Sequence, residues 1–272
     1  MNEAIKLYFE KNKILFFILN LVMIIALLKL FQMLAYPKAD FKEALTLNNI
    51  KFMLVGMDGE LGGLALTFVI AIISIIGSFI FGSILAIARF SKNRFINTPA
   101  ILYIELFRAL PLIMVIFWVY FAVPIVGGAL FHTKISASAL TSALISFTLF
   151  ESAYIAEIVR AGLKSIPQGQ FEAAKTLGMS GYQTFFLIIL PQAYRRMIPA
   201  IVSQFVSLFK DTSLAYVIGV IEFFRAATII NNRIYQSFEI FSFVAIVYFI
   251  CSFSLSKIAA MMERKVQKQL HT

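Results

Sequence analysis

Six long apolar runs alternate with short polar intervals along this chain. Each run is long enough to cross ~30 Å of hydrocarbon as a helix rising ~1.5 Å per residue. The pattern predicts membrane spans at 14–36, 61–89, 99–126, 136–160, 197–222 and 239–260. The first is preceded by Lys6, Lys11 and Lys13, as a signal peptide would be, but it runs too long and lacks a small-residue cleavage site, so it reads as a retained anchor.

Within the runs, Ser74, Ser78, Gly82 and Ala86 recur every four residues on the second span, and Ser138, Ser142 and Ser146 do so on the fourth. Small residues at that spacing let membrane helices approach closely. The expected fold class is therefore all-α: an integral membrane protein with a bundle of six transmembrane helices.

Composition removes the competing classes. Of 272 residues, 60% are hydrophobic and 14% charged, against about half and a quarter in soluble domains. The mean hydropathy is +0.87. Such a chain lacks the surface of a soluble globule. A formal charge of +10 would suit nucleic acid, but the basic residues lie mostly between apolar runs and make no groove with interleaved aromatics, so no nucleic-acid partner is expected. The 29 Phe read as lipid-facing or packed. Cys251 stands alone, which excludes an internal disulfide, a paired redox motif and a cysteine-based zinc site; no metal site is expected.

The basic residues do speak to topology. With the N-terminus inside, one side collects Lys6, Lys11, Lys13, Arg89, Lys92, Arg94, Arg160, Lys164, Lys175, Arg195, Arg196, Lys257, Arg264, Lys265 and Lys268. The other receives Lys38, Lys42, Lys51, Lys134, Arg225 and Arg233. That asymmetry is the one expected of cytoplasmic against exported loops, and places both termini in the cytoplasm.

Charges inside the spans need reasons, because each costs at least ~2.5 kcal/mol near the bilayer centre. Lys29 can snorkel to the exported headgroups. Arg108 lies ~13 Å along its span from the cytoplasmic side and Lys210 ~16 Å along its own. Two midplane cations could receive a carboxylate-bearing solute. They could equally be neutralised locally: Glu105 is three residues before Arg108, Asp211 adjoins Lys210, and Gln204 and Ser207 share the Asp211 face. Pro111 suits either an opened helix or a kink near Arg108. Glu151 falls in the cytoplasmic half of the fourth span, and Glu157 with Arg160 forms an i, i+3 pair; these read as structural. The candidate solute-site residues are Arg108, Lys210, Asp211, Gln204 and Glu151.

Residues 161–196 form the one extended cytoplasmic segment. Pro167 and Gly169 give a turn, Gln170 to Leu177 a short helix stopped by Gly178, and Ser180 can cap a second helix through Tyr182 to Leu190, ended by Pro191. Such a projection suits docking of a cytoplasmic partner, or a hairpin lying on the bilayer.

Within it, Glu172, Ala173, Ala174, then Gly178, then Ile188, Leu190 and Pro191 reproduce the loop signature of ABC importer membrane subunits. The chain resembles permeases of the polar amino acid uptake family, through GLALTF at 63–68, IELFRALPL at 104–112, AYIAEIVRAG at 153–162, GQFEAAKTLGM at 169–179, ILPQAYRRMIP at 189–199 and KDTSLAYV at 210–217. FRALPLIMVIFWVYFAVP at 107–124, and DTSLAYV followed by EFFRAATI, look most like the glutamate and aspartate branch. One departure is Ala109 and Leu110, where many relatives have a small residue and then Thr. The resemblance covers roughly 60–255, which divides the chain into a first span with its exported loop (1–56), an importer transmembrane domain (57–265, coupling loop 161–196) and a tail (266–272).

The resemblance implies a non-enzymatic permease in a bacterial cytoplasmic (inner) membrane, importing amino acids, acidic ones first. It implies a second permease subunit, identical or not, a cytoplasmic ABC ATPase dimer gripping the coupling loop, and an exported amino acid binding protein. The chain has no G-x-x-x-x-G-K-[ST] phosphate loop, so it binds no cofactor of its own and ATP belongs to the ATPase. The rival readings are an importer for another polar amino acid such as glutamine, an ion-coupled secondary transporter, and a structural scaffold. A secondary transporter should show related halves with paired broken helices, which are not seen, and a scaffold needs no buried cations.

Overall fold

A computed structural model describes residues 13–35, 40–56, 59–133 and 136–270. The described chain is helical, its single β contact being a bridge between Gly63 and Glu222. In order it forms α1 (Lys13–Ala35), α2 (Phe41–Ala44), α3 (Leu47–Val55), α4 (Gly63–Arg89), α5 (Arg94–Ala109) and α6 (Leu112–Phe131). Then follow α7 (Ala139–Lys164), α8 (Gln168–Thr176), α9 (Gly181–Ile218), α10 (Phe223–Ile234) and α11 (Ser237–Leu270). Among the described residues, α4, α6, α7, α9 and most of α11 are each long and apolar enough to cross a membrane. The first expected span corresponds to α1, which rests against α11.

Two expected boundaries change, and proline is the reason in both. The third expected span is two helices: Leu110 is extended at φ −90° and ψ 146°, and Pro111 restarts the chain as α6. Pro111 therefore opens the helix instead of kinking it, because the residue before a proline avoids the helical region. The expected stop at Pro191 does not occur, and the second loop helix and the fifth span merge into α9, 38 residues long. A π turn at Thr184–Ile189 comes immediately before the α-helical stretch that Pro191 enters at its second residue. A proline ring clashes with the carbonyl four residues back, and the wider π turn moves that carbonyl, here Leu187, out of the way. Pro124 in α6 follows a π turn at Trp118–Ala122 in the same manner.

The expected close seam exists between α4 and α7. Ser74, Ser78, Gly82 and Ala86 are all buried. The Ser78 hydroxyl lies 2.6 Å from the Ser74 carbonyl and 3.1 Å from that of Thr148 on α7. On α7, Ser142 and Ser146 are buried, whereas Ser138 caps the helix, its oxygen accepting from the Thr141 N–H. Apolar packing then divides into two clusters along the bundle. One gathers Ile70, Ile116, Phe147 and Leu208; the other gathers Ile104, Ile155, Val159, Ile189 and Met197 beside the α8 loop.

A third cluster makes a cap at the opposite end. Ala44 and Met53 of α2 and α3 pack with Phe223, Ala226, Ala227 and Ile230 of α10 and Ile240 of α11. Polar ties reinforce it: the Asp40 N–H donates to Glu239 Oε1 at 2.8 Å, and Gln236 Nε2 to Glu43 Oε2 at 2.9 Å. The Gly63 N–H donates to the Ile221 carbonyl at 2.9 Å, and the Phe223 N–H to Thr67 Oγ1 at 3.1 Å. Glu222, fully buried, caps α10 by accepting from the Phe224 and Arg225 N–H groups at 2.8 Å each.

Candidate functional site

Among the described residues, the salt bridges gather on Glu157 of α7. Its Oε2 accepts from Arg160 Nε at 2.9 Å and NH2 at 2.7 Å, the i, i+3 pair expected from the sequence. Its Oε1 accepts from NH1 of Arg89, the last residue of α4. Arg108 NH1, from the last turn of α5, lies 4.0 Å from the same Oε1. Three guanidiniums from three helices thus face one carboxylate, leaving two positive charges in excess. Such an excess attracts anions.

Arg108 differs from the other two. Its side chain is 46% exposed, against 24% for Arg89 and 27% for Arg160. Its guanidinium sits 5.8 Å from the centre of the Tyr154 ring, a cation–π distance. The break at Leu110 places it at the C-terminal end of α5, where the helix dipole favours a cation. The alternative partner, Glu105, is exposed, and no ion pair joins it to Arg108 among the described residues.

The other candidates form a separate group. Glu151 is fully buried; its Oε2 accepts from Gln204 Nε2 of α9 at 2.7 Å, and its Oε1 has no hydrogen-bond partner among the described residues. Asp211, half-buried, is close enough to act on Glu151 electrostatically. Lys210 is exposed and adjoins Asp211, on which its charge acts. The five candidate residues therefore divide: Glu151, Gln204 and Asp211, with exposed Lys210 beside Asp211, gather where α7 meets α9, and Arg108 belongs to the Glu157 cluster. Sequence reasoning missed Arg89 as a member of the cluster. It lies 68 residues from Glu157 on another helix, and only its position as a terminal charge on an apolar run hinted at a partner.

Beside Glu157 a cavity of about 470 Å³ opens between α7 and α9, lined also by Gly162, Ser165, Arg196 and Met197. It reaches Ser165, just past the end of α7 and before α8. On α8, Glu172 and Ala173 are exposed while Ala174 is buried. The Gly178 N–H donates to the Lys175 carbonyl and the Met179 N–H to that of Ala174, so α8 ends in a Schellman turn with Gly178 at φ 74°. Ser180 and Gln183 cap the start of α9 reciprocally. Gln192 Nε2 bridges to Gln170 Oε1 at 3.2 Å and to the Ile188 carbonyl at 2.9 Å, tying α9 to α8. Ile188 and Leu190 are half-buried, and Pro191 is exposed.

Residues 78–268 match the family model described as binding-protein-dependent transport system inner membrane component. The chain is 45% identical over 204 residues to the probable glutamine ABC transporter permease protein of Bacillus subtilis (strain 168), covering 74% of this chain and 90% of that one. It is 39% identical over 206 residues to the glutamate/aspartate import permease protein of Escherichia coli O6:H1, covering 75% and 92%. A solved structure described as an amino acid ABC transporter with histidines superposes with a TM-score of 0.69 at 30% identity, covering 75% of this chain and 92% of that one.

Proposed function

Because the chain belongs to the family of binding-protein-dependent transport system inner membrane components, and is the permease subunit of an amino acid ABC importer, we propose that its solutes are acidic amino acids, glutamate and aspartate. The observation that carries this reading is the arginine excess around Glu157, with Arg108 as its most exposed member. A dicarboxylate amino acid brings the negative charge such a cluster lacks. Glutamine is the second reading, favoured by the relative at 45% identity.

Equilibrium binding of radiolabelled L-glutamate to the full-length permease purified with its ATPase separates them. Excess aspartate should displace the label and excess glutamine should not, and Arg108→Gln should weaken binding about tenfold, within the range for losing a charge-assisted hydrogen bond. Displacement by glutamine as effective as by aspartate would overturn the acidic reading.

In the same proposal, two permease subunits form the pathway between them. An ATPase dimer holds the loop from Glu172 through Gly178 to Ile188, Leu190 and Pro191, and an exported binding protein docks at the cap. The chain lies in a bacterial inner membrane with both termini cytoplasmic. In a Cys251→Ala background, Leu47→Cys, at an exposed cap position, should react with an impermeant thiol reagent added outside intact cells, and Lys164→Cys should not. The reverse pattern would invert the topology.

A further inference from the structure

We propose that Glu157 is a built-in competitor for the solute: it holds the attention of Arg108 while the path is empty and yields it to the solute's carboxylate. The proposal rests on the reading of Arg108 as the carboxylate partner, and deepens it by naming what the carboxylate must displace.

The geometry within the cluster supports an exchange. Both Glu157 oxygens are already committed, Oε1 to Arg89 and Oε2 to Arg160. The Arg89 bond and the two Arg160 bonds hold the carboxylate in place, 4.0 Å from Arg108 NH1. At 4.0 Å from Oε1, Arg108 is beyond hydrogen-bond range, and among the described residues none of its five N–H donors is in a hydrogen bond. The Tyr154 ring lies 5.8 Å from the guanidinium carbon and leaves the donor edge free. An incoming carboxylate can take that edge in the two-bonded fork geometry that Glu157 cannot reach. Exchange therefore favours the solute when it is present and Glu157 when it is not.

Competition also serves release. A permease must let its solute go, and a resident carboxylate 4.0 Å from the same guanidinium lowers the gain from binding there. The cavity lined by Glu157 and Arg196 lies next to the point of exchange, so a displaced solute has space to enter.

The same L-glutamate binding assay tests the idea with three variants. Glu157→Gln removes the competitor and should tighten binding about three- to fivefold, the range an exposed ion pair supports. Glu157→Asp keeps the charge but draws the carboxylate back from Arg108, and should also tighten binding, by a smaller factor. If Glu157→Gln tightens binding and Glu157→Asp leaves it unchanged, net charge alone is at work and the competitor role is overturned. It is overturned too if neither variant binds more tightly, or if neither assembles as a monodisperse complex, since Glu157 is then a brace. Arg108→Gln separates the two layers: unchanged binding removes Arg108 as the partner and the competitor with it. Weakened binding without a gain at Glu157 removes the competitor alone.

Discussion

Gly82→Ala is expected to dismantle the bundle, while Gly77→Ala, on the same helix, is expected to be tolerated. In a membrane no hydrophobic effect draws helices together, so close backbone packing between α4 and α7 must do so. A Cβ at Gly82 would lie 2.6 Å from the Ser152 carbonyl oxygen and 2.9 Å from Cβ of Ile155. The first is backbone and the second is the branched, fully buried core of α7, so neither can step aside. A Cβ at Gly77 would instead meet the Thr148 side chain at 3.0 Å, and a rotation there relieves it. Overpacking ordinarily costs ~1–3 kcal/mol, and a clash against backbone belongs at or above the top of that range. Gly82→Ala should therefore yield little monodisperse protein in mild detergent and no transport, with Gly77→Ala close to the parent in both. Equal yields from the two variants would mean that α4 and α7 do not meet at Gly82.

Apolar run length located α4, α7, α9 and α11 but ran α5 and α6 together, and the every-fourth-residue spacing of Ser74, Ser78, Gly82 and Ala86 marked the close-packing face of α4. Both depend on periodicity within one helix, which a sequence displays directly. Proline was harder to read, since Pro111 opens the chain while Pro191 is absorbed by a π turn that no residue type announces. The site was least legible of all. Glu105 was the natural partner for Arg108 by spacing, yet the nearest carboxylate is Glu157, on α7 and 49 positions away in the chain. Which acid faces which base across two helices is set by helix rotation and packing, and local spacing carries no record of either. The same holds for Glu151, whose tie to Gln204 joins helices 53 residues apart.

Where the sequence does encode geometry locally, the strongest functional effect is expected: Gly178→Val should uncouple the permease from its ATPase while leaving the bundle intact. Gly178 was read as a helix-ending glycine, and it sits at φ 74° in the turn that closes α8. A Cβ there would meet nothing within 4 Å, so the penalty is one of backbone conformation alone. For a β-branched residue that penalty is ~1 kcal/mol or more. The chain can relieve it only by giving up the Schellman bonds to Ala174 and Lys175, which frays α8 and loosens the Gln170–Gln192 bridge to α9. If the exposed Glu172 and Ala173 are what the ATPase grips, their displacement breaks transmission without touching the membrane core. In proteoliposomes containing the partner ATPase, stimulation of ATP hydrolysis by loaded binding protein should fall to the unstimulated level in Gly178→Val, with uptake lost alongside. Gly178→Asn is the discriminating control, because asparagine tolerates the left-handed conformation and should retain most of the stimulation. Full stimulation and uptake in the valine variant would show that this turn transmits nothing. Equal loss in the valine and asparagine variants would place the effect in the missing hydrogen side chain and not in the backbone angle.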